Sequence, residues 1–382
     1  MLNYKDEVLQ LLAELVAFKS VTPDDAGSLE YINNYVSKFG GTAQYLNRNQ
    51  TRNILISIGS GKQIFAFAGH VDVVPPGDID KWLNKDPYTL HLDGDQIYGR
   101  GVADMKGAIA AFLVALKKFA TDADSTKYKI LLLLTSDEEG NAADGTIVLR
   151  DYLLMNNIRL NYCLVGEPSC NALLGDTIKV GRRGSLSGEL MIQGKQGHIA
   201  YPELCINPIH VTLPLLNNLA SMKWDQGNEF FPPTSFQFAN LNSGLGVSNV
   251  IPDTLKANFN FRYNNLHDAD SLKQKVEQVF QAAQVNYTLD WKHSAEPFLT
   301  KQGTFVEVAT TAINKICGLT PSLKTDGGTS DGRFLIAISD EIIELGLRND
   351  SIHKINEATT NSDLQQLTLI YYTILCKMFN GA

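Results

Sequence analysis

Four stretches of the chain place proton-handling or metal-ligating side chains at one end of an apolar run, three where it gives out and one where it begins. In Phe65-Ala-Phe-Ala-Gly-His70-Val-Asp72, His70 and Asp72 fall on one face at the end of a strand, because strand side chains alternate with period 2. A carboxylate there can orient the imidazole and fix which ring nitrogen stays free for a metal; an ordinary hydrogen-bonded histidine is the alternative. In Gly99-Arg-Gly-Val-Ala-Asp104-Met-Lys-Gly107, Asp104 sits on a glycine-rich turn ahead of an apolar helix, a position that also suits a helix cap. The run Lys129-Ile-Leu-Leu-Leu-Leu-Thr135 opens into Ser136-Asp137-Glu138-Glu139-Gly140. Three adjacent carboxylates repel one another unless a cation gathers them or a solvated loop spreads them. Finally Tyr162-Cys-Leu-Val165 ends at Gly166-Glu167-Pro168.

Ligands in open α/β sheets bind outside the strand ends, so three strands ending in His70/Asp72, Glu138/Glu139 and Glu167 argue jointly for a site. Carboxylates mixed with imidazole suit zinc or a similar divalent ion. A second imidazole is wanted, and His353 in Ile352-His-Lys-Ile-Asn-Glu357 can supply it, although a lone histidine there also reads as structural.

The elements that must position these residues follow from periodicity. Helical spacing predicts helices near 4–18, 106–120, 144–155, 206–221, 268–283, 303–317 and 358–379. Strands are expected at Asn53–Ile58, Ile64–Ala68, Tyr128–Leu134, Tyr162–Val165, Ser187–Ile192, Ser235–Leu241, Thr254–Phe261 and Ile342–Leu345. The fold class is α/β. Continuous apolar strands imply a sheet covered by helices on both faces, whereas alternating strands such as Lys256-Ala-Asn-Phe-Asn-Phe-Arg262 imply one solvated face. The change of texture near Gly181, reversed near Glu296-Pro297, predicts a discontinuous domain of residues 1–180 and 297–382, with 181–296 inserted as a smaller α+β domain.

Composition limits the function classes. The 382 residues are 44% hydrophobic and 19% charged, ordinary for soluble globular chains. With 33 Lys+Arg against 41 Asp+Glu the net charge is −8, which leaves no electrostatic footprint for nucleic acid or an anionic membrane. Five cysteines without C-x-x-C spacing argue against a disulfide framework or a thiolate metal site. The N-terminal run reads as a helix and not as a signal peptide, and no apolar stretch reaches the length of a membrane span. A cytoplasmic protein is expected.

The motifs H-V-D-V-V-P, G-R-G-V-A-D-M-K-G, S-D-E-E-G, G-E-P-S and I-H-K-I-N-E, in this order, resemble the co-catalytic dizinc amidohydrolase family of acetylornithine deacetylase, aminoacylase and glutamate carboxypeptidase. The resemblance covers nearly the whole chain. It implies two Zn²⁺ ions, with Co²⁺ able to substitute: one held by His70 and Glu167, one by Glu139 and His353, and Asp104 bridging both. Asp72 would support His70, Glu138 would be the base, and the Asp104–Met105 peptide would be cis. In the inserted domain the resemblance makes His198 an oxyanion donor and Asn249 its companion. Both would be supplied by the partner subunit of a homodimer, so that 181–296 serves as lid and dimerisation domain.

Within the family, Gly181-Arg-Arg-Gly-Ser185, Gly197-His-Ile-Ala-Tyr-Pro202, Gly327-Gly-Thr-Ser-Asp-Gly-Arg333 and Asn349-Asp-Ser-Ile-His353 are similar to the branch that removes succinate from an acylated diamino diacid. The segment Glu203-Leu-Cys-Ile206 departs from the His-Leu-Ala-Asp type of run expected there. Such a substrate carries three carboxylates, and Arg182, Arg183, Arg262 and Arg333 can clamp carboxylates bidentately. Tyr201, Asn249, Gly328, Thr329 and Asn349 complete the expected substrate contacts. An acetylornithine deacetylase would need one carboxylate and one amine recognised, and a carboxypeptidase or dipeptidase is a further alternative within the family. A non-catalytic binding homologue would have lost a ligand or the base, and none is lost. Dinucleotide binding is disfavoured because Asp104 stands where G-x-G-x-x-G needs its third glycine.

Overall fold

A computed structural model describes residues 4–300 and 302–379. The chain divides into two compact units: Met1–Gly181 with Leu299–Lys324 and Ser330–Ala382, and Arg182–Phe298 with Thr325–Thr329. The inserted unit thus starts one residue and ends two residues beyond the expected bounds and takes in the turn carrying Gly328 and Thr329.

The first unit is built on an eight-stranded mixed sheet in the order Thr42–Tyr45, Asn53–Gly59, Lys129–Thr135, Ile64–His70, Leu160–Val165, Ser339–Glu344, Thr177–Lys179, Ser322–Lys324. Ile64–His70 runs parallel to both Lys129–Thr135 and Leu160–Val165, with His70 opposite Thr135 and Ala68 opposite Val165. Ser339–Glu344 continues the parallel run, Glu344 opposite Val165. The carboxyl ends of these strands therefore lie level along one edge, and that edge is where the acidic and imidazole residues emerge.

Burial on both faces explains the unbroken apolar strands. Ile130, Leu132 and Leu134 join one cluster with the helices Tyr4–Ala17, Ser28–Ser37, Lys106–Asp122, Thr304–Cys317 and Asn361–Phe379. Leu131 and Leu133 are equally buried but point the other way, where helix Thr146–Met155 packs against Asn53–Gly59 and Lys129–Thr135.

The second unit has the strand–helix–strand–strand–helix–strand order of a ferredoxin-like split βαβ. Its four antiparallel strands lie in the order Ser235–Ser243, Thr254–Tyr263, Gly184–Gln193, Tyr287–Ala295. Leu255, Ala257, Phe259, Phe261 and Tyr263 alternate inward against helices Pro208–Ser221 and Ala269–Ala282.

The differences from expectation are local. Helix Ser28–Ser37 was not foreseen, though Leu29, Ile32 and Val36 bury one face of it. Helix ends shift where caps intervene: Gly145 and Asn207 cap helices starting at Thr146 and Pro208. Ala358–Thr360, expected as helix, is a strand paired with Gln96–Tyr98. Strand Tyr287–Ala295 was also unforeseen. No described helix is long and apolar enough to cross a membrane.

Candidate metal centre

His70 closes its strand fully buried, and its Nδ1 lies 2.9 Å from the backbone carbonyl of Asp72. A carbonyl oxygen only accepts, so Nδ1 carries the hydrogen and Nε2 is the atom left to bind a cation. Nε2 faces Asp104 Oδ1 at 3.2 Å and Glu167 Oε1 at 3.7 Å. The other oxygen of Asp104, Oδ2, faces His353 Nε2 at 3.3 Å, and His353 Nε2 also meets Glu139 Oε1 at 2.9 Å. One buried carboxylate is thus turned between two imidazoles.

The expected support of His70 by the Asp72 side chain is weaker than anticipated, its Oδ1 lying 3.6 Å from Nδ1. The chain turns away after the strand, so the Asp72 carboxylate accepts instead from the backbone N–H groups of Glu138 at 3.3 Å and Glu139 at 3.0 Å. It thereby fixes the loop that turns these two side chains apart. Among the described residues, the ligand atoms of His70, Glu138 and Glu167 lie within 4.8 Å of one another, as do those of His70, Asp104 and Glu139. Glu138 is therefore close enough to count with the ligands as well as beside them.

The electrostatics call for positive charge. Burial pushes the carboxyl groups of Glu138 and Glu167 well above the usual range, and neighbouring carboxylates add to the shift. Hydrogen bonds to Asp104 and Glu139 carry His353 up to about 10. Burial alone would lower His70, but Asp104, Glu167 and Asp72 more than reverse it. Nitrogen lone pairs aimed at carboxylate oxygens need a proton or a cation between them, and imidazole with hard oxygen donors is the donor set of zinc and similar divalent ions.

Three supporting residues had no role assigned from sequence. Buried Glu357 accepts hydrogen bonds from the turn leading to Asp104, and Arg100 pairs with it at 2.8 Å. Buried Asp331 accepts from Thr146 Oγ1 at 2.6 Å; burial raises its carboxyl to about 6, and its charge is felt at Glu138. Glu357 closed the I-H-K-I-N-E run, Asp331 stood in G-G-T-S-D-G-R and Arg100 in G-R-G-V-A-D-M-K-G, the signals that could have found them. The Asp104–Met105 peptide is cis, and His353 takes a left-handed φ of 61°.

Of the other expected site residues, Arg333 and Asn349 belong to the first unit. The Arg333 guanidinium lies over the Phe334 ring at 4.6 Å, and the Asn349 amide donates to Asn171 at 3.4 Å. The second unit holds the rest. His198 and Asn249 are brought side by side: His198 pairs with Val250, and Ile199 N–H donates to the Asn249 carbonyl at 3.1 Å. His198, Asn249 and Tyr201 are exposed. Ala200 N–H donates to His198 Nδ1 at 3.0 Å, which leaves the neutral ring with its hydrogen on outward Nε2. Arg262 lies opposite both Ser185 and Ser235, and Arg183 reaches Ser235 Oγ at 3.5 Å. Arg182 is buried rather than open, donating to the Asp326 carbonyl at 3.1 Å. Gly327, beside it, has φ 98°, a left-handed conformation that favours glycine, and a Cβ there would come within 2.5 Å of Arg182 Nη1, so the guanidinium would have to shift.

Residues 66–377 match the family model described as peptidase family M20/M25/M40. The chain belongs to that family. It is 46% identical over 374 residues to a succinyl-diaminopimelate desuccinylase of Hydrogenovibrio crunogenus, covering 97% of this chain and 99% of that one. Identity to a succinyl-diaminopimelate desuccinylase of Thioalkalivibrio sulfidiphilus is 45% over 372 residues, with the same coverage. Among solved structures, the M20 family metallo-carboxypeptidase Sso-CP2 of Sulfolobus solfataricus superposes with TM-score 0.82 at 18% identity, covering 97% of this chain and 98% of that one. This M20 chain shares the fold of a metallo-carboxypeptidase, while its near relatives in sequence are desuccinylases.

Proposed function

We propose that the chain hydrolyses N-succinyl-LL-2,6-diaminopimelate to succinate and LL-2,6-diaminopimelate, a step of lysine and cell-wall precursor synthesis in the cytoplasm. The observation that carries this reading is the 46% identity, over nearly the full length of both chains, to a relative of that name. His70 and Glu167 would hold one Zn²⁺, Glu139 and His353 a second, with Asp104 between them; Co²⁺ would substitute. Bound there, such ions supply a water with a pKa near about 7 and a polarised amide carbonyl.

The chain's own groups do the rest. Glu138 takes the proton of the attacking water and returns it to the departing amine. Asp72, through the backbone of Glu138 and Glu139, keeps the base and the neighbouring ligand facing different ways. His198 offers Nε2–H to the developing oxyanion. Arg183, Arg262 and Arg333 bind substrate carboxylates with Tyr201, Asn249, Thr329 and Asn349, while Arg182 shapes the turn at Gly327 and Gly328.

A homodimer formed through the inserted unit is part of this reading. Strand Ser235–Ser243 is the edge of its sheet, and Leu241, Leu245, Val247, Val211 and Leu213 are exposed apolar side chains of the same unit.

A metal-replete panel tests the substrate. The rate constant kcat/KM for N-succinyl-diaminopimelate should exceed those for N-acetylornithine and dipeptides by roughly 10⁴-fold, since a site that pairs with charged substrate groups leaves its own groups unpaired against analogues lacking them. Equal or reversed preference overturns the assignment. Metal counting tests the ligands: His70→Ala and His353→Ala should each retain about one ion per chain when the other half is undamaged, with affinity at the altered half lowered at least about 10-fold. Two ions bound with parental affinity in both variants would refute the ligand set.

A further inference from the structure

Four hydrogen bonds converge on one carboxylate outside the proposed ligand set. Glu357 Oε1 accepts from the backbone N–H of Ala103 at 2.9 Å and of Asp104 at 3.0 Å. Oε2 accepts from the N–H of Gly101 at 3.0 Å and from Arg100 Nη1 at 2.8 Å. The side chain is 1% exposed. Buried backbone N–H groups need partners, and those of Gly101, Ala103 and Asp104 lie in a turn, outside any strand or helix. An ionised carboxylate, which only accepts and has about four lone-pair sites, satisfies them all.

The surroundings leave this arrangement little freedom. Gly101 has φ 86°, and a Cβ there would come within 2.8 Å of Val73. Arg100 is buried, lying over the Trp82 ring at 5.3 Å and reaching the Pro75 carbonyl at 3.4 Å. The segment bearing Glu357 is anchored as well, because Asn356 Oδ1 accepts from Leu83 N–H at 2.9 Å. Four residues before Glu357, His353 faces the side chain of Asp104 at 3.3 Å. One segment, 353–357, therefore meets Asp104 twice: at its carboxylate through His353 and at its main chain through Glu357.

We infer that Glu357 is a positioning residue: its carboxylate fixes the turn that aims Asp104, so that both oxygens of Asp104 stay turned toward the two imidazoles. The inference rests on the proposed two-metal reading. Asp104 is the one ligand the two halves share, so a loosened turn should weaken binding in both. It should also lower turnover more than substrate affinity, since Glu357 faces the turn and not the substrate.

The test compares the full-length parent with Glu357→Gln and Glu357→Leu, using Co²⁺ titration, kcat and KM, melting temperature, and amide hydrogen exchange at Gly101, Ala103 and Asp104. Glu357→Gln keeps one acceptor oxygen and should fold. It should bind Co²⁺ about 10–100-fold more weakly and lose a similar factor in kcat, as losing a partner behind a ligand does, with KM unchanged and faster exchange at Gly101. Glu357→Leu should show larger effects wherever it folds. A Gln variant that melts earlier yet keeps parental Co²⁺ affinity, kcat and exchange overturns the inference and leaves a merely structural role. If the parent binds fewer than two Co²⁺, the two-metal reading fails separately, and exchange at the three amides still decides whether Glu357 fixes the turn.

Discussion

Glu138→Gln retains both metal ions and loses turnover by roughly 10²–10⁴-fold, the contribution of a positioned general base. The amide fills the space of the carboxylate, but it cannot take a proton from water. The variant is the decisive one because the ligand atoms of Glu138 lie within 4.8 Å of those of His70 and Glu167, where a ligand would also stand. Metal analysis and rate measurement separate the two roles. One ion missing from the variant would make Glu138 a ligand, and undiminished turnover with both ions bound would remove it from the mechanism.

Mixing two crippled variants restores activity. In the proposed two-fold dimer, His198→Ala spoils the neighbour's site and costs roughly 10²–10³ in rate, whereas Glu138→Gln spoils its own. A dimer with one subunit of each kind then contains one site with both groups intact. Because an isologous interface makes the exchange reciprocal, random mixing at equal amounts should return about a quarter of parental activity. Neither variant alone approaches that level. Subunits shown to exchange, for instance by fluorescence transfer, with no return of activity would end the cross-subunit role of His198 and leave the metal centre untouched.

What the sequence made legible depended on distance along the chain. His70, Glu138, Glu139 and Glu167 stand at or just past the end of a strand, and Asp104 just ahead of a helix, whose periodicity is plain, and their types announce their chemistry. Glu357 was not legible in the same way, because its partners Arg100, Gly101, Ala103 and Asp104 lie some 250 positions away and nothing local distinguishes a buried acceptor from a solvated acid. The three-residue strands His91–Asp93, Gln96–Tyr98 and Ala358–Thr360 are too short for a period of two to register. Tyr287–Ala295 is a different case: it lies beside Gly184–Gln193 at the far side of its sheet from Ser235–Ser243, and its half-buried Tyr287, Leu289 and Trp291 alternate with exposed Thr288, Asp290 and Lys292, a period of two that the sequence does carry. Asp72 shows the limit of reasoning from spacing alone. The same-face rule held only as far as the strand, and the residue's carboxylate was free to serve the next loop.

The discontinuity of the first unit has a consequence for how the protein is made. On the ribosome His70, Asp104, Glu139 and Glu167 emerge early, but His353 and Glu357 follow only after the entire inserted segment. At ordinary elongation rates the stretch from Glu167 to His353 takes roughly 10–40 s to synthesise. All four strands of the inserted sheet, between Gly184 and Ala295, can pair during that interval, while the nascent first unit still lacks strand Ser339–Glu344 and the helix Asn361–Phe379 that packs on Lys106–Asp122. The acidic half-site is then without its second imidazole and without the clamp on Asp104. On the proposed two-metal reading, the half that needs His353 is completed only once these last residues have been made, whereas His70, Asp104 and Glu167 of the other half are all present earlier.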